Sequence, residues 1–297
     1  MGKVMVGTCS WTDKTLIESG RFYPDGARSA EARLRYYASQ FPIVEVDSAY
    51  YALPGERVSR LWVERTAQGF VFDVKAFRLF TRHPTPPSAL PRDISEALPT
   101  ALRGKPAIYQ RDLPPELVAE LWRRFEQALL PLDSAGKLGA VLFQFPPWFT
   151  PGNEAREYLL ACRDRLGQYT VAVEFRHHAW LDAGNTEKTL GFLRDHNLAF
   201  VCVDEPQGFR SSVAPVAEAT TDIGLVRFHG RNRDSWESKG ASVTERFNYL
   251  YSEEELRGWL PKLKELAAKT RQLHVLFNNC HQDKAVANAR QMVLMLD

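Results

Sequence analysis

Eight short runs rich in Val, Ile, Leu and Phe recur along the chain, and helix-like segments separate most of them. The runs fall at 4–6, 43–46, 70–74, 140–145, 170–175, 199–203, 224–228 and 274–277. Short apolar runs of this kind read as strands buried on both faces. Helices are expected at 29–40, 58–66, 114–130, 155–166, 186–196 and 252–269, with a last one at 283–296. Within 114–130, Leu117, Leu121, Phe125 and Leu129 recur at steps of four and form one apolar stripe. Ala32, Tyr36 and Tyr37 share a face of 29–40. Ser252 with Glu255 matches a capping box, and Asn185 or Thr186 is expected to cap the helix that follows. Strands that alternate with helices pair in parallel, so the fold class is α/β. The simplest closed form is a single (β/α)8 TIM barrel over residues 1–297. The rival is an open doubly wound sheet. Its first turn would carry GxGxxG, whereas the first run here leads into Gly7-Thr8-Cys9-Ser10-Trp11.

With 44% hydrophobic and 25% charged residues, the chain can bury a large core. Its net charge of +2 is too balanced to argue a nucleic-acid partner from bulk charge. The cysteines Cys9, Cys162, Cys202 and Cys280 form no CxxC, which suits buried or pocket-edge thiols in a reducing compartment. No apolar run reaches membrane-spanning length, and no signal-peptide core opens the chain. A cytoplasmic protein with no membrane partner is therefore expected.

Several strands turn polar where they end. In Val171-Ala172-Val173-Glu174-Phe175-Arg176, two opposite charges stand two apart, hence on one face. The pattern recurs at Glu45 and Asp47, at Asp73 and Lys75, and at Arg227 and His229. Barrel enzymes build their sites at the C-terminal ends of strands. Collecting polar residues there gives Ser10, Trp11, Glu45, Asp47, Lys75, Arg78, Gln144, Glu174, Arg176, Asp204, Glu205, Arg227, His229, Asn278 and Asn279; all but Ser10, Arg78 and Glu205, together with Tyr50, are expected to act on or bind the substrate. Arg176, Arg227 and Lys75 suit a phosphate, sulfate or carboxylate. His229 has a reference pKa near neutrality and pairs with Glu174 as acid and base. Lys75, if its pKa were lowered, could form a Schiff base. Tyr50, Tyr51, Trp11, Trp148 and Trp180 offer faces on which a sugar or base could stack.

Two connections are long, 81–113 after the third strand and 230–251 after the seventh. Both should lie at the C-terminal face as lids or substrate walls. No H-x-H or HExxH spacing appears, and Arg176 and Lys75 would repel a divalent ion, so no metal or cofactor is expected. The competing reading places a divalent metal at Glu45, Glu174, Asp204 and His229, with His177, His178 and His281 nearby.

The chain also resembles the YecE-like family, or domain of unknown function 72, through an ordered set of short segments. They include Gly7-Thr8-Cys9-Ser10-Trp11, Phe22-Tyr23-Pro24, Val44 to Tyr51 with Leu53-Pro54, and Phe72 to Ala76. Leu142 to Pro147, Val173 to Arg176 with Trp180, Val226 to Gly230, Tyr249 to Ser252, and Phe277 to Asn279 with Asn288-Ala289 complete it. The resemblance implies a TIM barrel and no particular reaction. Cys9 and Ser10 stand where the family usually has Ser and Gly, and Asp47 stands where Asn is common.

The leading expectation is a metal-independent enzyme that uses acid/base chemistry on a small anionic or sugar-phosphate-like substrate. Arg176, Arg227 and Lys75 would anchor the anion, Glu174 and His229 would move protons, and Gln144, Asn278 and Asn279 would orient the substrate. The alternatives are a nucleic-acid-binding or endonuclease-like barrel, drawing on Arg231, Arg233 and the 78–82 segment, and a non-catalytic small-ligand-binding protein.

Overall fold

The computed structural model describes residues 2–240 and 242–296. Eight parallel strands, β1 (Lys3–Thr8), β2 (Ile43–Val46), β3 (Val71–Lys75), β4 (Leu138–Gln144), β5 (Val171–Glu174), β6 (Ala199–Asp204), β7 (Ile223–Phe228) and β8 (Gln272–Phe277), pair in sequence order. β8 returns to β1 and closes the barrel, in register from Lys3 beside Gln272 to Thr8 beside Phe277. Each expected strand is present, with ends moved by one or two residues.

The helices pack outside. Pro115–Ser134 buries Val118, Leu121, Trp122, Phe125, Ala128, Leu129 and Leu132, while Leu117 lies at the margin of this stripe. Ala30–Gln40 buries Leu34 and Tyr37, with Ser29 accepting a hydrogen bond from the Ala32 amide at its start. The expected helix over 252–269 is two helices, Glu253–Arg257 and Leu260–Lys269. Pro261 lies in the first turn of the second one, where its missing N–H is tolerated; inside a continuous helix it would break the ladder. The Ser252–Glu255 capping box is formed. Asn185 occupies the N-cap position of Thr186–Asp195, but its amide is spent on the Ala179 carbonyl and the Asp182 side chain. Residues 205–222, between β6 and β7, form no helix.

The two long connections differ. Residues 81–113 fold into short helical turns and bury Leu90, Ile94, Leu98, Leu102 and Ile108. Asp93 accepts from Arg124 on the neighbouring long helix, so most of this excursion is a structural flank. Only its start, at His83, reaches the mouth of the barrel. The 230–251 connection does wall that mouth, through Thr244, Arg246 and Phe247. No helix among the described residues is long and apolar enough to cross a membrane.

A large apolar cluster fills the layer between strands and helices. Inside the barrel the apolar core is small, built from Met5, Cys9, Ile43, Val71 and Leu276. TIM barrels usually fill this space with layers of branched aliphatic side chains. Here much of it holds charge.

Candidate active site: a sealed charge network beneath a cationic cleft

Three strands that are not neighbours meet through their side chains, so these contacts must cross the lumen. Arg227 on β7 donates from Nε and Nη2 to Glu45 on β2, at 2.8 and 2.7 Å. Its Nη1 donates to Glu174 Oε2 on β5. Arg227, Glu45, Glu174 and His229 are all fully buried. One guanidinium thus bridges two carboxylates and takes the place a cation would otherwise take between them. Deeper still, Asp73 on β3 meets His274 Nδ1 on β8 at 2.9 Å. Gly139 makes room for that pair: a Cβ there would lie 2.4 Å from Asp73 Oδ1 and 2.7 Å from the His274 ring.

Glu174 is the hub. Its Oε1 accepts from Gln144 Nε2 at 2.6 Å and from Arg176 Nη1 at 3.2 Å, and it lies 3.0 Å from His229 Nε2. Burial alone would raise its pKa, but Arg227 and the hydrogen bond from His229 outweigh burial and hold Glu174 well below the usual carboxylate range. Burial also drives His229 down to about 3, despite the opposing pull of Glu174. His229 is therefore neutral at physiological pH. A neutral ring donates through Nε2 to Glu174 and accepts at Nδ1 from the Asn278 amide, 2.9 Å away.

Above this layer opens a cleft of about 740 Å³ at the C-terminal ends of the strands. Cys9, Asp47, Tyr50, Lys75, Gln144, Arg176 and Asn278 line it. Lys75 donates to Asp47 at 2.9 Å. Burial pulls the Lys75 pKa down, but Asp47 and Glu45 outweigh it and raise the ammonium above its ordinary value. Arg176 is shared between Glu174 and Glu205 (3.0 Å) and stacks on Trp236 at 4.8 Å.

The expected residues therefore separate into groups. Asp47, Tyr50, Lys75, Gln144, Arg176 and Asn278 reach the cleft. Glu45, Glu174, Arg227 and His229 lie beneath it, closed from solvent. The remaining three face away. Trp11 packs edge-on against Trp62 and Phe72. Asp204 points outward to Arg231, Tyr251 and Trp259. Asn279 bonds the Tyr249 carbonyl and Asn288. Among the aromatics, Trp180 is buried with its indole N–H on the Phe149 carbonyl. Among the described residues, no three His, Cys, Asp or Glu side chains converge as a metal site requires.

The family model described as "Protein of unknown function DUF72" matches residues 5–297. The chain belongs to the DUF72 family. It is 34% identical over 298 residues to the UPF0759 protein YunF of Bacillus subtilis, covering 99% of this chain and 95% of that protein. A DUF72 crystal structure from Thermotoga maritima superposes with a TM-score of 0.75 at 32% identity, with 99% of each chain covered. One from Enterococcus faecalis gives 0.79 at 25% identity, covering 99% of this chain and 95% of the other. In this DUF72 barrel, the segments ending β2, β5, β7 and β8 that carried the resemblance are the ones that supply Glu45, Glu174, Arg227, His229 and Asn278.

Three residues of the site were not selected from the sequence, His83, Arg246 and Phe247, while Glu205 was collected at its strand end without a role. The first three come from the long connections, where no periodicity marks an inward face; Arg246 ends a single helical turn, Val243–Arg246. Glu205 follows the β6 strand directly. Its Oε1 accepts from the Val213 amide, while Oε2 lies beside Arg176 with no hydrogen bond of its own. Burial raises its pKa to about 7, Arg176 only partly opposing this. The folded protein then holds a proton that the unfolded chain releases between about pH 4.5 and 7. This contribution favours folding at low pH and is lost as pH rises through 7. Glu205→Gln should remove it, so the variant gains stability relative to wild type as pH rises from 5 to 8, by on the order of 3 kcal/mol. Urea denaturation at both pH values checks this, and an unchanged difference would refute it.

Proposed function

We propose that this DUF72 barrel is an enzyme that binds a small anionic molecule in the cleft and acts on it by acid/base chemistry of its own side chains. One observation carries this reading. The cleft is lined by four cations, Lys14, Lys75, Arg176 and Arg246, against two carboxylates, Asp13 and Asp47. Arg246 has no carboxylate partner among the described residues, and its Nε is buried without a hydrogen bond. Its pKa is lowered by burial and by the nearby Arg176. A buried guanidinium edge facing a cleft, beside two further cations, is a place for an anion.

The proton-transfer roles move with the geometry. His229 and Glu174 hold Asn278, Gln144 and Arg176 in place and act as positioning residues. Asp47 and His83 are the groups that meet the cleft itself. Burial, with Lys75, Arg78 and Arg176 around it, lowers His83 to about 3, so the imidazole is neutral and presents an uncharged ring to the cleft, which leaves Asp47 as the group to accept a proton. Its Nδ1 is 2.8 Å from the Thr81 hydroxyl, which fixes the ring. Lys75, held protonated, serves as an anchor and not as a Schiff-base nucleophile. The nucleic-acid reading has less support: Arg231 is paired with Asp204 and Glu255, and Arg82 with Glu154.

Binding of an anion to the folded state raises the melting temperature by mass action. Inorganic phosphate, exchanged for chloride at constant ionic strength, should raise the melting temperature of the wild type. Arg176→Met and Lys75→Met should respond at least about fivefold more weakly in apparent affinity, in line with a lost charged hydrogen bond. Equal responses in all three proteins would refute the assignment.

A further inference from the structure

We propose that the rim formed by Tyr51, Tyr50, His83 and Trp148 is a sugar-binding shelf, and that the anion held in the cleft is the phosphate of a phosphorylated sugar. This rests on the anion-binding reading above and adds the chemistry of the rest of the ligand.

The four rings form a continuous row. Tyr51 meets Tyr50 at 5.0 Å, Tyr50 meets His83 at 5.3 Å, and His83 meets Trp148 at 5.9 Å. Both ends are open to solvent, with Trp148 57% and Tyr51 49% exposed, and both line the cleft. Large aromatic surface left uncovered beside a polar cleft marks a recognition site. Trp148 follows Pro146-Pro147 at the end of β4, so its backbone is stiffly held. The anion side abuts the shelf: Lys75 Nζ lies 4.7 Å from the centre of the Tyr50 ring.

Ring geometry decides between ligand classes. Neighbouring rings meet near 89°, 85° and 69°, so no adjacent pair offers the parallel faces that would sandwich a nucleobase. Single open faces suit the C–H face of a saturated sugar ring. Its hydroxyls would find partners in Ser10, Ser48 and Thr244, which line the same cleft. The cleft volume of about 740 Å³ fits one such molecule.

The test is calorimetric titration of inorganic phosphate, glucose 6-phosphate, ribose 5-phosphate and AMP into wild type and Trp148→Ala. At least one sugar phosphate should bind about fivefold or more tightly than inorganic phosphate, and Trp148→Ala should bring that ratio towards one. Equal affinity for phosphate and both sugar phosphates overturns the shelf while leaving the anion site standing. So does a ratio unchanged in Trp148→Ala. AMP binding more tightly than either sugar phosphate overturns the sugar assignment in favour of a base. Failure of all four ligands to bind overturns the anion reading itself.

Discussion

Arg227→Met should destabilise the protein by about 3–5 kcal/mol, the cost of leaving buried charge without its partner. The side chain donates to Glu45 and Glu174 across the barrel, and all three are fully buried. Removing the guanidinium leaves two carboxylates in the lumen with no shared cation. Glu45 is the more exposed to this loss: burial already raises its pKa, and Arg227 is the largest opposing influence. Adding Glu45→Gln and Glu174→Gln to Arg227→Met should recover part of the loss, because neutral amides carry a smaller burial cost. Chemical denaturation of the single and triple variants measures both effects. A single variant within about 1 kcal/mol of wild type, the usual range for an exposed ion pair, would mean that the network is not the keystone of the barrel.

The second large effect is acid sensitivity. His229 is neutral when folded and has a pKa near 3, whereas an unfolded histidine takes up its proton near pH 6.5. The unfolded chain then binds one more proton across that interval, so stability falls as pH drops below about 6.5. The slope is about 1.4 kcal/mol per pH unit for each such group. His83, depressed to about 3, acts in the same direction. Glu205, raised to about 7, opposes them between about pH 4.5 and 7. His229→Gln keeps a donor for Glu174 and an acceptor for Asn278 but cannot titrate. Its stability should fall less steeply, by about one proton, between pH 6 and 4.5. Denaturation midpoints measured across that range test this; parallel curves for variant and wild type would refute it.

The barrel was legible because eight apolar runs, each too short for a helix, alternate with amphipathic segments. The site was legible where a strand carried two charges two residues apart, as at Glu174 and Arg176 or Arg227 and His229. It failed by one residue in two places. Every residue of β6 is buried, so burial gives no alternation to show which face is inward. Asp204 and Glu205 were both collected and Asp204 was chosen, yet Glu205 is the neighbour of Arg176, and a one-residue shift moves a side chain to the opposite face. Asn278 and Asn279 divide in the same way, the first towards His229 and the second towards Asn288. Sequence also could not show depth. Glu174 and His229 lie on the correct face, one layer below the cleft, because Gln144, Arg176 and Asn278 cover them. Arg246, at the end of a single helical turn within a long connection, meets the others only when the barrel closes.

The most direct test of a cationic cleft resting on this buried network is a crystal structure of the protein equilibrated with phosphate at neutral pH. One phosphate is expected in the cleft, in hydrogen-bond contact with Arg176 and Arg246, over an unbroken Glu45–Arg227–Glu174 bridge. Phosphate bound only elsewhere on the surface, with the cleft occupied by water alone, would contradict it.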